Sequence, residues 1–239
     1  MDNAGYVALS RQSGLMRELN TIANNIANIN TNGFRREGAI FAEHFESLQG
    51  GDEGLSVATM SHRFVDFSAG DITKTNNPLD FALDGEGFFL VESGDGERLT
   101  RDGAFSLNAQ GEIVTASNAR VLDESGGAIV IPTEAKQINA SSDGVIFADG
   151  QAVGKLGVVT ADPAFMIREG QNLFRAEKGY EPAVNVQVRQ HSVEGSNVSP
   201  VTELARLIEV QRTYELSKNL IESENERIER TVRVLGQGQ

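Results

Sequence analysis

Sixteen consecutive residues, 19–34, carry no charged side chain, while Leu15, Leu19, Ile22, Ile26 and Ile29 run through the same region at intervals of 4, 3, 4 and 3. That spacing is the a/d pattern of a helix with one apolar seam, and it predicts a helix from about residue 3 to residue 32. Six of the thirteen residues from 20 to 32 are Asn, a poor helix former. A helix wetted along one face normally carries Lys and Glu there, so a charge-free one is expected to be enclosed by protein on most sides. Asn20, Asn24 and Asn28 form an i, i+4 stripe whose amides can donate and accept across neighbouring helices, and Ala23 and Ala27 allow close approach. Two packings stay open: burial within one chain, a two-helix hairpin included, or packing among helices of other chains. The helix stop is read at Asn32-Gly33-Phe34, with Gly33 left-handed and Phe34 folding back on the last turn.

The other end carries a second helical signal. Ser199-Pro200 reads as an N-cap followed by proline at the first helical position. Leu207, Tyr214, Ile221, Ile228 and Leu235 then recur every seven residues, with Val210 and Ser217 at the companion positions. Glu224 and Thr231 occupy those companion positions further on, so the seam weakens toward the end. Glu203, Glu209, Glu215 and Glu222 alternate with Arg206, Arg212, Lys218 and Arg227, either as a solvated face or as charges that set register between subunits. One helix of this length covers only one side of the N-terminal helix, which favours helices of other chains on the remaining sides.

Between the ends the pattern changes to short alternating apolar runs, punctuated by Asp-Gly at 84/85, 95/96, 102/103, 143/144 and 149/150. Short strands at this spacing predict an antiparallel β domain. Residues 34–79 are polar and interrupted by Gly, without a sustained period, and are expected to form an extended arm or linker. The chain of 239 residues has 34 acidic against 21 basic side chains, a net charge of −13. Both ends are nearly neutral, so the acidity belongs to the middle, and it argues against a nucleic-acid or anionic-membrane partner.

No apolar run approaches the roughly 20 residues that span a bilayer, and residues 1–20 lack the charged and apolar regions of a cleaved secretory signal. With no Cys, disulfides, thiolate metal sites and cysteine nucleophiles are excluded. His44, His62 and His191 stand apart from one another, without the spacing that puts two metal ligands on one helix face. Asp84-Gly85-Glu86-Gly87 lacks the glycine spacing of a dinucleotide loop, and neither a P-loop nor a Gly-x-Ser-x-Gly elbow occurs. No catalytic residue, cofactor or metal is expected.

Three groups of residues resemble the bacterial flagellar rod and hook family in that family's order. They are Ala23-Asn24-Asn25-Ile26-Ala27-Asn28 with Asn30-Thr31-Asn32-Gly33-Phe34; Asp84-Gly85-Glu86-Gly87-Phe88-Phe89 with Thr100-Arg101-Asp102-Gly103-Ala104-Phe105 and Gly111-Glu112-Ile113-Val114-Thr115; and Glu194-Gly195-Ser196-Asn197-Val198-Ser199-Pro200 with Ile208-Glu209-Val210-Gln211-Arg212-Thr213-Tyr214-Glu215. Ile26 stands where the family often has Leu, a volume-conserving change. The resemblance implies a structural subunit of the basal-body rod, the periplasm-crossing drive shaft. It also implies partners in itself and the other rod proteins, and export through the flagellar type III apparatus without a cleaved signal. Length within the family favours the proximal rod subunit, with the distal one as alternative.

The expected fold is therefore α+β, with long N- and C-terminal helices packed as an antiparallel coiled coil around a central, mainly antiparallel β domain. The expected divisions are an assembly helix at 1–33, an arm or linker at 34–79, the β domain at 80–192 and a second assembly helix at 193–239. Leu15, Leu19, Ile22, Asn24, Ile26, Asn28, Ile29, Leu207, Tyr214, Ile221, Ile228 and Leu235 are expected at subunit interfaces, with Gly33, Phe34, Ser199 and Pro200 marking helix ends. A rival reading makes the β domain a binding module on a dimerising helical stalk.

Overall fold

The computed structural model describes the backbone of residues 2–46, 55–94 and 96–236, and their side chains except at 2–8, 41–46, 55–62, 224, 225, 228, 231, 232 and 234–236. The chain divides into two compact units. The first combines Met1–Ala27, Arg36–Asp66 and Ser199–Gln239; the second combines Asn28–Arg35 and Phe67–Val198.

In the first unit helix α1 (Asp2–Ala27) and helix α2 (Pro200–Gly236) run antiparallel. The unit also holds a two-stranded antiparallel hairpin, β1 (Glu37–Glu46) and β2 (Leu55–Val65), within the stretch expected as an arm or linker. The hairpin packs on α1. Leu15, Ile22 and Val210 form the buried cluster of this unit, with Leu19, Ile26, Leu207 and Tyr214 packed half-buried around it. The seams at 15–26 and 207–214 thus do meet, over about three turns.

The expected long coiled coil is not formed. Among the described residues, no side chain of α2 past Tyr214 joins the cluster with α1, and Ile221 is only half-buried. The physical reason lies in α1. Its buried face interleaves Glu18, Thr21 and Asn25 with Leu15 and Ile22, so polar pairs rather than a continuous row of knobs hold the helices together. α1 also ends at Ala27, short of the expected residue 32. The Asn-rich residues that follow turn instead, with the Thr31 and Phe34 amides donating back to the Asn28 and Thr31 carbonyls. Asn favours such local turns over helix interiors because its side chain competes for the backbone.

The second unit is built of antiparallel strands. Three pairings close its ends or centre: β3 (Ile72–Lys74) pairs with 192–194, β4 (Phe81–Asp84) with 187–190, and β5 (Phe88–Ser93) with β6 (Gly96–Thr100). β5 and β6 sit inside a nine-stranded sheet that extends through 173–176 to 166–170 on one side and through 120–121 and 113–114 to 106–107 on the other. Strands 138–140, 145–148 and 151–155 form a separate meander. Phe81, Phe89, Val91, Ile113, Val121, Ile146 and Leu156 anchor one continuous core, each fully or almost fully buried. The ring of Phe105 meets Phe89 edge-on at 5.2 Å between centroids and Phe81 at 6.1 Å, a favoured aromatic geometry.

The Asp-Gly signal finds its physical basis in the meander. Asp149 at φ 50° and Gly150 at φ 86° form the two-residue loop whose positive angles match the right-handed strand twist.

Candidate functional site: the helix faces and the buried ionic nodes

α1 and α2 each present two faces. The inner faces meet through paired charges. Arg206 donates to Glu18 Oε1 from both Nε, at 2.9 Å, and Nη2, at 2.7 Å. Asn25 Nδ2 donates to Glu203 Oε2 at 3.3 Å, and Arg36 Nε to Glu203 Oε1 at 2.5 Å. Asn25 also reaches the hairpin, donating to the Glu37 carbonyl at 2.8 Å and accepting from the Glu37 amide at 2.9 Å. Glu203 is fully buried, and such a carboxylate is tolerated only when paired and hydrogen-bonded. Two of the alternating α2 charges therefore act within the chain, whereas the Lys218–Glu222 pair lies on the surface, where it contributes little.

The outer faces are different in kind. On α1, Leu9, Met16, Asn20, Ala23, Asn24 and Ala27 are all exposed and, at 100° per residue, fall on one side of the helix. These six side chains are uncharged, with exposed Arg17 at their border. On α2, Val201, Leu204, Ile208, Leu216 and Leu220 are 78%, 50%, 51%, 70% and 65% exposed and lie away from the Leu207–Val210–Tyr214 side. Each helix thus carries apolar side chains both toward its partner and away from it, with Glu209, Arg212 and Glu215 exposed among the outward ones of α2. None of the described helices is long and apolar enough to cross a membrane.

The residues expected at interfaces divide accordingly. Leu15 and Ile22 are buried, and Leu19, Ile26, Leu207 and Tyr214 are half-buried, all within the first unit's own cluster. Ile221, Asn28 and Ile29 are half-buried and Asn24 is exposed. The side chains of Ile228 and Leu235 lie outside the described residues. Pro200 starts α2 as expected, with the Ser199 carbonyl accepting the Glu203 amide at 3.0 Å. The outward residues of α2 do not follow the seven-residue repeat. Their signal in the sequence is the four-residue step, from 204 to 208 and from 216 to 220.

A second node lies within the β unit. Glu194, 1% exposed, accepts from Arg35 Nη2 at 2.6 Å, Arg101 Nη1 at 3.1 Å and the Gly70 amide at 2.9 Å. Its carbonyl accepts the Gly33 amide at 2.7 Å. One carboxylate so joins residues 28–35, 70–72, 101 and 192–194. Arg35 is wholly buried, and burial also lowers the Arg101 pKa, opposed by Glu194 and reinforced by Arg35. Gly33 has φ 65°, and a Cβ there would stand 2.3 Å from the Arg101 carbonyl carbon, so both conformation and space demand glycine. Phe34 is buried beneath the Arg168 guanidinium, 4.6 Å from its ring centroid. Single-sequence periodicity carries no trace of this node, because its members are far apart in the chain.

Comparison with known proteins accounts for both ends and the centre. Residues 6–35 match the family described as "Flagella basal body rod protein", residues 82–148 the "Flagellar hook protein FlgE/F/G D1 domain", and residues 189–234 the "Flagellar basal body rod FlgEFG protein C-terminal". The chain is 38% identical over 242 residues to "Flagellar basal-body rod protein FlgF" of Caulobacter vibrioides and 35% identical over 240 to that of Mesorhizobium japonicum, covering 99% of both chains each time. It is also 33% identical to "Flagellar basal-body rod protein FlgG" of Agrobacterium fabrum, over 92% of this chain and 94% of that one. With end-to-end relatives of this identity and three matched segments in one order, the chain belongs to the flagellar basal-body rod protein family, as a structural subunit of the basal body rather than an enzyme.

Proposed function

We propose that this subunit takes the proximal place in the rod and assembles with copies of itself and with other rod proteins through its terminal helices, forming part of the shaft that crosses the periplasm. Delivery through the flagellar export apparatus belongs to the same reading. The observation that carries it is the set of outward apolar side chains on the helix pair, Leu9 and Met16 on α1 and Leu204, Ile208, Leu216 and Leu220 on α2, beside an uncharged Asn and Ala stripe on α1. Burying one such leucine contributes about 1.5–3 kcal/mol, so even a few seated against neighbouring subunits drive association. A subunit that meets a different surface of the next copy builds an open helical array, and many small contacts then share the torque. Higher identity and fuller coverage of the FlgF relatives than of the FlgG relative favour the proximal over the distal place.

Leu216→Asp and Leu220→Asp test this more cleanly than a change at Ile22, which is buried in the chain's own core. Expressed in place of the natural copy, each variant is expected to stop rod formation and swimming while the purified subunit keeps its circular dichroism spectrum. Normal motility of the double variant overturns the reading.

A further inference from the structure

We propose that Asn32-Gly33 is a self-modification site which the native fold keeps silent: its deamidation is suppressed by the contacts of Gly33 and, once it happens, prevents those contacts from re-forming. Asn32-Gly33 is the chain's only Asn-Gly step. In such a step the glycine amide nitrogen attacks the Asn side-chain carbonyl carbon. The new N–Cγ bond closes a five-membered imide, the Cγ–Nδ2 bond breaks, and ammonia leaves with the proton given up by the amide. Water then opens the imide at either carbonyl, giving Asp or an isoaspartyl linkage whose backbone is one carbon longer. Glycine is the most permissive successor because no side chain hinders the attack.

In the folded chain that nucleophile is occupied. The Gly33 N–H donates to the Glu194 carbonyl at 2.7 Å, and Glu194 is 1% exposed and held by Arg35 and Arg101. The flanking peptide is fixed as well: the Asn32 carbonyl accepts from Asn172 Nδ2 at 2.8 Å, and Asn172 is itself buried. Gly33 lies against the Arg101–Asp102 backbone with no room for even a methyl group. Attack requires the amide to give up its hydrogen bond, lose its proton and swing toward the Asn32 side chain, which means opening the junction first. An extra backbone carbon inserted before Gly33 shifts the N–H away from the Glu194 carbonyl and pushes the glycine into the Arg101 peptide. The modification is thus a record of time spent unfolded, and it marks chains that can no longer close this joint.

The full-length purified protein, incubated at mildly alkaline pH in native buffer and in concentrated urea, tests the first half. Mass spectrometry follows the peptide spanning residues 32 and 33 for the amide-to-acid gain, and isoaspartyl methyltransferase labels the rearranged product. The native protein is expected to react at least about tenfold more slowly, the factor that an opening free energy near 1.4 kcal/mol supplies. Equal rates in the two solvents, or an Asn32 that stays an amide in urea, overturn the proposal. For the second half, urea-aged protein and the Asn32→Asp variant are refolded alike and compared by hydrogen exchange over residues 33–35. Asn32→Asp is expected to regain protection and the isoaspartyl chain to lack it. Native protection in the isoaspartyl chain, or its loss in Asn32→Asp, removes backbone length as the cause.

Discussion

The two units reach order by opposite routes. Among the described residues, the β unit encloses a continuous core in which Phe81, Phe89, Val91, Ile113, Val121, Ile146 and Leu156 have essentially no exposure. Among its described residues, the helix unit buries Leu15, Ile22 and Val210 in its cluster and leaves Leu9, Met16, Leu204, Ile208, Leu216 and Leu220 facing outward. The first is self-sufficient in apolar burial and satisfies its chain ends through Glu194. The second is held in register by Glu18–Arg206 and Glu203–Arg36 while part of its apolar surface stays exposed. One chain thus joins a unit with a continuous apolar core to a unit with a small one, whose outward apolar side chains are covered by neighbouring subunits on the proposed reading.

The sharpest way to break this contrast is to unbalance the buried node. Glu194→Leu leaves Arg35 and Arg101 buried without their shared carboxylate, and a loss of about 3–5 kcal/mol is expected. Urea denaturation followed by circular dichroism measures it, and an unchanged midpoint shows that the node does not hold the β unit. Phe89→Ala tests the core itself, with an expected loss of about 3–5 kcal/mol by the same measurement. Gly33→Ala is smaller in atoms but strained, since it combines a left-handed φ with a backbone collision. About 1–3 kcal/mol is expected, with early hydrogen exchange at residues 28–35. The outward leucines give the opposite result: Leu216→Asp is expected to change subunit stability by no more than about 0.5 kcal/mol, while removing assembly.

A pH dependence sharpens the comparison at its smallest scale. Burial raises the Asp102 pKa, although a hydrogen bond from the Ala104 amide works against it. The folded chain therefore favours the neutral carboxyl, so this group's contribution is fully present below the unfolded carboxylate pKa and is lost as pH rises through the raised folded value. Asp102→Asn, which keeps an oxygen to accept from Ala104, is expected to flatten that decline. Denaturation midpoints of both proteins across the acidic range check it, and parallel curves refute it.

Much of the architecture is local and so is legible in residue order. Apolar spacing identifies the two helices, Asp-Gly steps mark turns such as 149–150, and Gly33 is recognisable as a position for left-handed backbone, which it adopts at φ 65°. Phe34, expected to fold back on the helix, is instead enclosed with Arg168 in the β unit. Of the seven-residue repeat, Leu207 and Tyr214 pack against α1 within the chain, and the long coiled coil read from it is not formed. Periodicity states which side of a helix is apolar, but not how far a partner accompanies it.

What the amino-acid order determined by itself was therefore the helical ends, the charge-free run at 19–34 and the β character of the centre, because those follow from neighbours within a few residues. Tertiary structure alone decided that Asn25 would meet Glu203, 178 positions away, and that Glu194 would meet Arg35, 159 positions away. It also decided that Leu204, Ile208, Leu216 and Leu220 of α2 would point outward. Polar groups buried together must be paired across the chain, and which distant residue supplies the pair is settled only when the backbone brings them within hydrogen-bond reach.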